Sequence, residues 1–252
     1  MVSGERRPDL TAPRRILLIN ANTTASITDK LVDIANALAP AGVVFAGATG
    51  RFGARYIASR AASAIAGHAA LDAFAEHGAG VDGVLLGCFG DPGLDALKEV
   101  SPVPVLGLAE ASAIAALRLG ARFGVVTGGV AWRPMLTEFF GARGYAAALS
   151  GVHTITPTGA EIARDPAGAV DSLVGSCNEA IAAGAQVVVL GGAGLAGLRA
   201  MIAPRVAVPV LCSVETGVQA IIAALGSPRA DLIPHGAVES VALSPALAKL
   251  LG

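Results

Sequence analysis

VDGVLLGCFGDPGLDAL, residues 81–97, and AQVVVLGGAGLAGLRAM, residues 185–201, are two copies of one pattern. At an offset of 104, Leu86 falls on Leu190, Gly87 on Gly191, Gly90 on Gly194, Gly93 on Gly197 and Leu94 on Leu198. Each copy runs from a short apolar stretch through a glycine-rich turn into a helical pattern. One inserted residue later the match resumes, with Pro104-Val105-Leu106 on Pro209-Val210-Leu211 and Glu110 on Glu215. A fainter echo links RILLIN at 15–20 with RFGVVT at 122–127. Any two Ala- and Gly-rich units look alike by composition, but here the phase persists through strand, loop, helix and next strand. The expectation is an α/β chain of two similar open parallel-sheet halves, pseudo-symmetric and flavodoxin-like, with a site in the cleft between them. We assign residues 14–120 with about 214–252 to the first half and 121–213 to the second, after a disordered lead-in over 1–13.

Working outward, apolar runs at 16–19, 43–45, 84–86, 103–106, 123–126, 187–190 and 208–211 read as buried strands, and 152–155 as a weaker one. Helical patterns occupy 26–38, 58–76, 94–100, 109–119, 134–143, 160–183, 198–202, 214–225 and 246–251. Such alternation implies parallel sheets covered on both faces. The 252 residues are 54% hydrophobic but only 4% aromatic, so the core is built from Ala, Val, Leu and Ile. A net charge of −1 excludes a nucleic-acid surface. Mean hydropathy is high, +0.64, yet no apolar run reaches the ~18–20 residues of a membrane span. The first fifteen residues lack a secretory apolar region. Three cysteines without CxxC spacing argue against a disulfide framework or zinc site and for a reducing cytoplasm. His68, His77, His153 and His235 show no metal spacing. The apolar composition suits a homo-oligomer.

In open α/β sheets ligands sit beyond the carboxyl ends of the strands. The loops there are 20–24, 47–53, 87–90, 127–129 and 191–194. Cys88 follows a strand and precedes a helical pattern, where a helix N-terminus would lower its pKa from about 8.5. Cys177 and Cys212 read as buried packing residues. Asn20, Asn22, Thr23 and Thr127 either bind a carboxylate or ring carbonyl or form turns and caps. Gly128 and Ala193 lie in the same loops. The N–H groups of Phe89 and Gly90 are candidate oxyanion donors. Asp91-Pro92 is expected to cap the helix that follows, with Pro92 at its first position. Tyr56 and Arg51 are placed to close over the cleft, and Glu110 and Glu215 have structural roles.

GCFGDPGLDAL at 87–97, followed by PVLGLAEAS, resembles the first cysteine motif of hydantoin and allantoin racemases, in the aspartate/glutamate racemase superfamily. INANTTASIT at 19–28 resembles that family's INPNTS/T…MT opening, with Ala21 for Pro. RFGVVT and VVVLGGAGLAGL match later blocks, so the resemblance spans about residues 14–225. It implies proton transfer at a carbon next to a carbonyl or carboxylate, with two cysteines on opposite faces of the substrate and neither metal nor cofactor. The second block in such racemases reads LGCAGM or LGCGGM. Here it reads Leu190-Gly191-Gly192-Ala193-Gly194-Leu195. Gly192 therefore stands at the second-cysteine position, which the internal repeat independently matches to Cys88.

Several readings stay open. A racemase-like enzyme with Cys88 alone, acting on a small carboxylate or hydantoin-like substrate, is the first. One thiol tends to return a proton to the face it left, whereas decarboxylation generates the carbanion by itself and needs one proton donor. A one-cysteine decarboxylase of the arylmalonate type is thus the second. Arylmalonate decarboxylases, relatives by the same resemblance, carry their cysteine on the opposite half. A non-catalytic small-acid binding protein is the third, and a Gly192 introduced to trap a ligand is a further possibility. Residues 47–53 mimic a GxxGxxG dinucleotide fingerprint, but on the second strand and with no acidic residue ~20 positions on.

Overall fold

The computed structural model describes residues 12–227, 236 and 239–252. The expected lead-in lies outside these through residue 11, as does His235. Eight strands form two parallel four-stranded sheets. The first holds β1 (Arg14–Asn20), β2 (Val43–Thr49), β3 (Gly83–Leu86) and β4 (Val105–Gly107) in the order β2-β1-β3-β4. The second holds β5 (Phe123–Gly128), β6 (Leu149–Ile155), β7 (Val187–Leu190) and β8 (Val210–Cys212) in the order β6-β5-β7-β8. Both run 2-1-3-4, as in the flavodoxin-like winding. The helices are α1 (Ala25–Leu38), α2 (Arg60–His77), α3 (Leu94–Val100), α4 (Leu108–Leu117), α5 (Trp132–Ala142), α6 (Gly159–Arg164), α7 (Pro166–Ala182), α8 (Arg199–Ile202), α9 (Ser213–Ala224) and α10 (Pro245–Leu251).

The repeat survives as hydrogen-bond register. Val84 pairs with Val105 in the first sheet and Val188 with Val210 in the second. Those are the offsets of 104 and 105 read from the sequence, and the extra residue falls between α8 and β8. Likewise Ile16 pairs with Gly83, and Phe123 with Val187. β3, β5 and β7 are buried along their whole length, which is why they read as unbroken apolar runs. β2 and β6 are edge strands, buried only at intervals. Their weaker pattern explains why only 152–155 of β6 was legible.

Proline accounts for three shifted boundaries. Pro104 and Pro209 have no N–H to place in a ladder, so the strands expected at 103–106 and 208–211 begin at Val105 and Val210. The single helix expected over 160–183 is two, because Pro166 restarts the chain as the first residue of α7 and Asp165 caps it through the Gly168 N–H at 3.0 Å. Gly47 lies inside β2, and α2 starts only at Arg60, so 47–53 does not lead into a helix N-terminus as a dinucleotide loop must.

The halves share one core. Phe123, Val125, Val187 and Val189 belong to the same buried cluster as Ile16, Leu85 and Leu108. α9 follows β8 in the chain but packs on α4 and α1. Each fully buried Leu or Phe contributes roughly 1.5–3 kcal/mol, so the two walls of the cleft are rigidly joined. No helix among the described residues is long and apolar enough to cross a membrane.

Candidate active site

The carboxyl ends of β1, β3, β5 and β7 open on one cavity of about 460 Å³. Gly87, Cys88 and Phe89 line it from the first half, and Thr127, Gly128 and residues 191–195 from the second. Cys88 and Gly192, matched by the repeat, thus lie in one cavity. Phe89 spans the floor: its ring lies so close to Gly191 that any side chain there would overlap it. Thr127 donates from Oγ1 to the Gly191 carbonyl at 2.8 Å and fixes the start of the same loop.

Apart from Tyr56, which was expected to close over the cleft, the walls come from residues with little sequence signal. Tyr56 reaches from the segment between β2 and α2 to the second half. Its hydroxyl lies 3.3 Å from the Gly128 carbonyl, to which it donates, and accepts from Trp132 Nε1 at 3.2 Å and the Gly159 N–H at 3.4 Å. Burial pushes the Tyr56 phenol above its usual pKa. Trp132, Gly159 and Ala160 complete that wall. Lys30, Arg55 and Arg164 supply positive charge, and no carboxylate or histidine lines the cavity among the described residues. The first turn of α1 also faces it, through Ser26 and Ile27. That turn carries no acidic residue, and Thr24 makes no side-chain cap. Only tertiary placement gathers these residues, although cations near a glycine-rich strand end were a readable hint.

The remaining expected residues divide. Asn22 lines the cavity but spends its Oδ1 on the Thr24 N–H at 2.9 Å. Asn20 is fully buried, its amide donating to Asn22 Oδ1, the Thr24 carbonyl and Thr28 Oγ1. It shapes the loop from beneath and does not touch the cavity. Thr23 and Gly90 also lie off the lining, Gly90 on the far side of Trp132. Ala193 is on it. Arg51 does not close over the cleft: it makes a bidentate pair with buried Asp72 at 2.8 and 2.9 Å. Glu110 pairs with Lys98 and Glu215 with Arg199, each tying a short helix to the next one. His68, His77 and His153 stay away from the cavity. The described residues hold no group of three or more His, Cys, Asp or Glu placed for a metal ion.

Two expectations about the Cys88 loop are corrected. α3 starts at Leu94, so Cys88 sits on a turn and not at a helix N-terminus. Burial, with the Asp91 carboxylate nearby, pushes its thiol up to about 12 instead of lowering it. Asp91 does not cap α3 with its side chain either. Gly93 is that cap, in a left-handed conformation, and Pro92 precedes the helix. The Asp91 carboxylate turns to α4 and accepts from the Ala109 and Glu110 N–H groups at 3.0 and 2.8 Å.

A model of the family described as Asp/Glu/Hydantoin racemase matches residues 16–221. A hydantoin racemase of Paenarthrobacter aurescens is 30% identical over 204 residues, covering 80% of this chain and 86% of the relative. Among solved structures, the allantoin racemase from Pseudomonas fluorescens matches with a TM-score of 0.79 at 32% identity, over 83% of this chain and 89% of that one. An arylmalonate decarboxylase matches with a TM-score of 0.59 at 19% identity, over 84% and 93%, a likeness of fold alone.

Proposed function

Because the chain belongs to the Asp/Glu/hydantoin racemase family, we propose that it forms and protonates a carbanion next to a carboxylate or carbonyl, with Cys88 as the proton-transfer group. The observation that carries this is the cavity itself. It brings the Cys88 turn and the Gly192 loop together and offers one thiol, with no carboxylate or imidazole, among its described lining residues. Lys30, Arg55, Arg164 and the first turn of α1 favour an anionic substrate, since cations and unpaired helix N–H groups stabilise negative charge. Thr127 and Tyr56 line the same cavity, each with its hydroxyl donating to a backbone carbonyl. We name the substrate as a small carboxylate or hydantoin-like molecule.

A second reading is favoured by the protonation state of the thiol. With its pKa pushed up to about 12, Cys88 carries its proton at neutral pH. A thiol in that state is a proton donor before it is a base. Gly192 supplies no second acid on the other wall. Loss of carbon dioxide from a malonate-like substrate would leave its electron pair on the α-carbon, and the Cys88 S–H would give that carbon its proton. The thiolate would then recover a proton from solvent.

Proton NMR in deuterium oxide separates the two. The panel is 5-substituted hydantoins, allantoin, aspartate, glutamate and disubstituted malonates, with wild-type protein and Cys88→Ala. Cys88-dependent exchange at a Cα, with or without inversion, supports the racemase-like reaction. Loss of carboxylate with one deuterium incorporated on a single face supports the decarboxylase. Turnover that survives Cys88→Ala sinks both.

A further inference from the structure

The Cys88 turn is held by a device that its counterpart lacks. Cys88 accepts at its carbonyl from the Asp91 N–H at 3.0 Å, closing a turn over residues 88–91. Asp91 has a left-handed backbone, φ 47°, which few non-glycine residues adopt. Its side chain is 3% exposed. Both carboxylate oxygens are engaged by α4, one by the Ala109 N–H and one by the Glu110 N–H. Gly107, the residue before α4, makes room: a Cβ there would overlap the Asp91 carboxyl group.

The other half begins the matching helix without such a cap. Leu195 stands at the Asp91 position and Cys212 at the Gly107 position, by the offsets of 104 and 105. Cys212 precedes α9 without a side-chain cap hydrogen bond, and Leu195 has no polar side-chain atom to offer Val214 or Glu215, the counterparts of Ala109 and Glu110. Such a helix therefore starts without a side-chain cap in the second half. A buried carboxylate is the more expensive cap, and it appears only in the half that carries the cavity thiol.

We propose that Asp91 is the positioning residue of Cys88: its carboxylate bolts the 88–91 turn to the N-terminus of α4 and sets a buried charge on the turn that carries the thiol. This rests on the reading of Cys88 as the proton-transfer group. The neighbours of Asp91 define the balance. The thiol of Cys88 lies on its own turn, Glu110 on α4 opposes its charge, and Arg143 after α5 favours it. Lys98 on α3 is paired with Glu110, and Asp95 on α3 with Arg143, so both outer charges are partly offset. Burial lifts the Asp91 carboxyl to about 7, against the pull of its two N–H donors. Near neutral pH the bolt is then a titrating group: ionised above, it holds α4 and opposes a thiolate; protonated below, it does neither fully.

Two measurements, neither needing a substrate, test this. In wild-type protein, the amide proton shifts of Ala109 and Glu110 are followed by NMR from pH 5 to 9. Both should titrate together in that range; shifts that stay flat overturn the titration near neutrality, and a shift at only one of the two overturns the shared bolt. The second is the pH midpoint of Cys88 alkylation by iodoacetamide, located by peptide mass, in wild type, Asp91→Asn and Gly107→Ala. Asp91→Asn removes the charge, so its midpoint should fall by about one pH unit or more, a tenfold change in the thiolate fraction at fixed pH. Gly107→Ala displaces the carboxylate but keeps the charge in the loop, and should move the midpoint less. Equal shifts in the two variants, or none in a folded Asp91→Asn, overturn the electrostatic role. If Asp91→Asn does not fold, the wild-type titration still decides. Failure to find turnover on any substrate would count against the Cys88 reading and leave these results intact.

Discussion

The Cys88 turn and the Gly192 loop begin as copies and part within one residue. Both leave a fully buried strand through a glycine, Gly87 and Gly191. Cys88 has an ordinary negative φ, whereas Gly192 has φ 108°. The second loop then coils into a 3-10 turn, Ala193–Leu195, while the Gly192 N–H donates to Ser213 Oγ at 3.0 Å. Gly194 is pressed against the backbone of Gly159 with no room for a side chain. The paths rejoin at Gly93 and Gly197, both at positive φ. Gly192 is therefore more than a cysteine site missing its sulfur. The space beside it is open, with Thr127 Oγ1 3.8 Å from where a Cβ would stand, but the backbone has taken a conformation that side chains resist.

The difference can be broken at either end. The largest effect should come from Cys88→Ala, with turnover in the deuterium assay falling roughly 10²- to 10⁴-fold, the usual contribution of a positioned acid or base. Gly107→Ala should be next. It forces the buried Asp91 carboxylate off its two donors, and denaturant unfolding should show a loss of about 3 kcal/mol. Gly192→Cys should destabilise by about 1–3 kcal/mol through its backbone alone. If the variant folds, it should add exchange or inversion on the second face of a substrate. A stable variant with no such gain would show that the two loops do not serve one substrate. Ser213→Ala, which removes the acceptor of the Gly192 N–H, should cost about 1 kcal/mol.

A pH scan sharpens the same contrast. Cys88 and Cys177 both have thiols that burial pushes up to about 12 from an ordinary value of about 9. The fold favours their protonated forms. Their contribution to stability is therefore whole below about pH 9 and is lost as pH rises towards 12. The alkaline fall in denaturation midpoint should shrink in Cys177→Ala, whose thiol is fully buried, while Cys88 remains to titrate.

Much of this architecture was legible because the central strands are buried on both faces. Their apolar runs, and the 104- and 105-residue offsets, reappear as hydrogen-bond register. The edge strand β6 was only partly legible, since only Val152 and Ile155 are buried and leave no continuous run. At the site, the Cys88 turn and the loops at 127–128 and 191–194 were found from the rule that ligands gather at strand ends. Lys30, the Arg55-Tyr56 pair, Trp132 and Arg164 come from four separate stretches of chain, and periodicity carries no record of which helices turn towards one cavity. The acidity of Cys88 was misjudged for a related reason. A cysteine after a strand and before a helical pattern suggests a helix dipole, but five residues intervene before α3.

The sequence by itself determined the two-half parallel fold, its repeat register, and the presence of one cysteine where the matching position has glycine. These are local patterns of burial and backbone permission, written in consecutive residues. Only the tertiary structure decided that Asp91 caps α4 and not α3, that burial raises the Cys88 thiol, and that the hydroxyl of Tyr56, expected over the cleft, meets Gly128, Trp132 and Gly159. Each depends on desolvation and on contacts between segments 18 to 103 residues apart, and such energies exist only once the chain has folded.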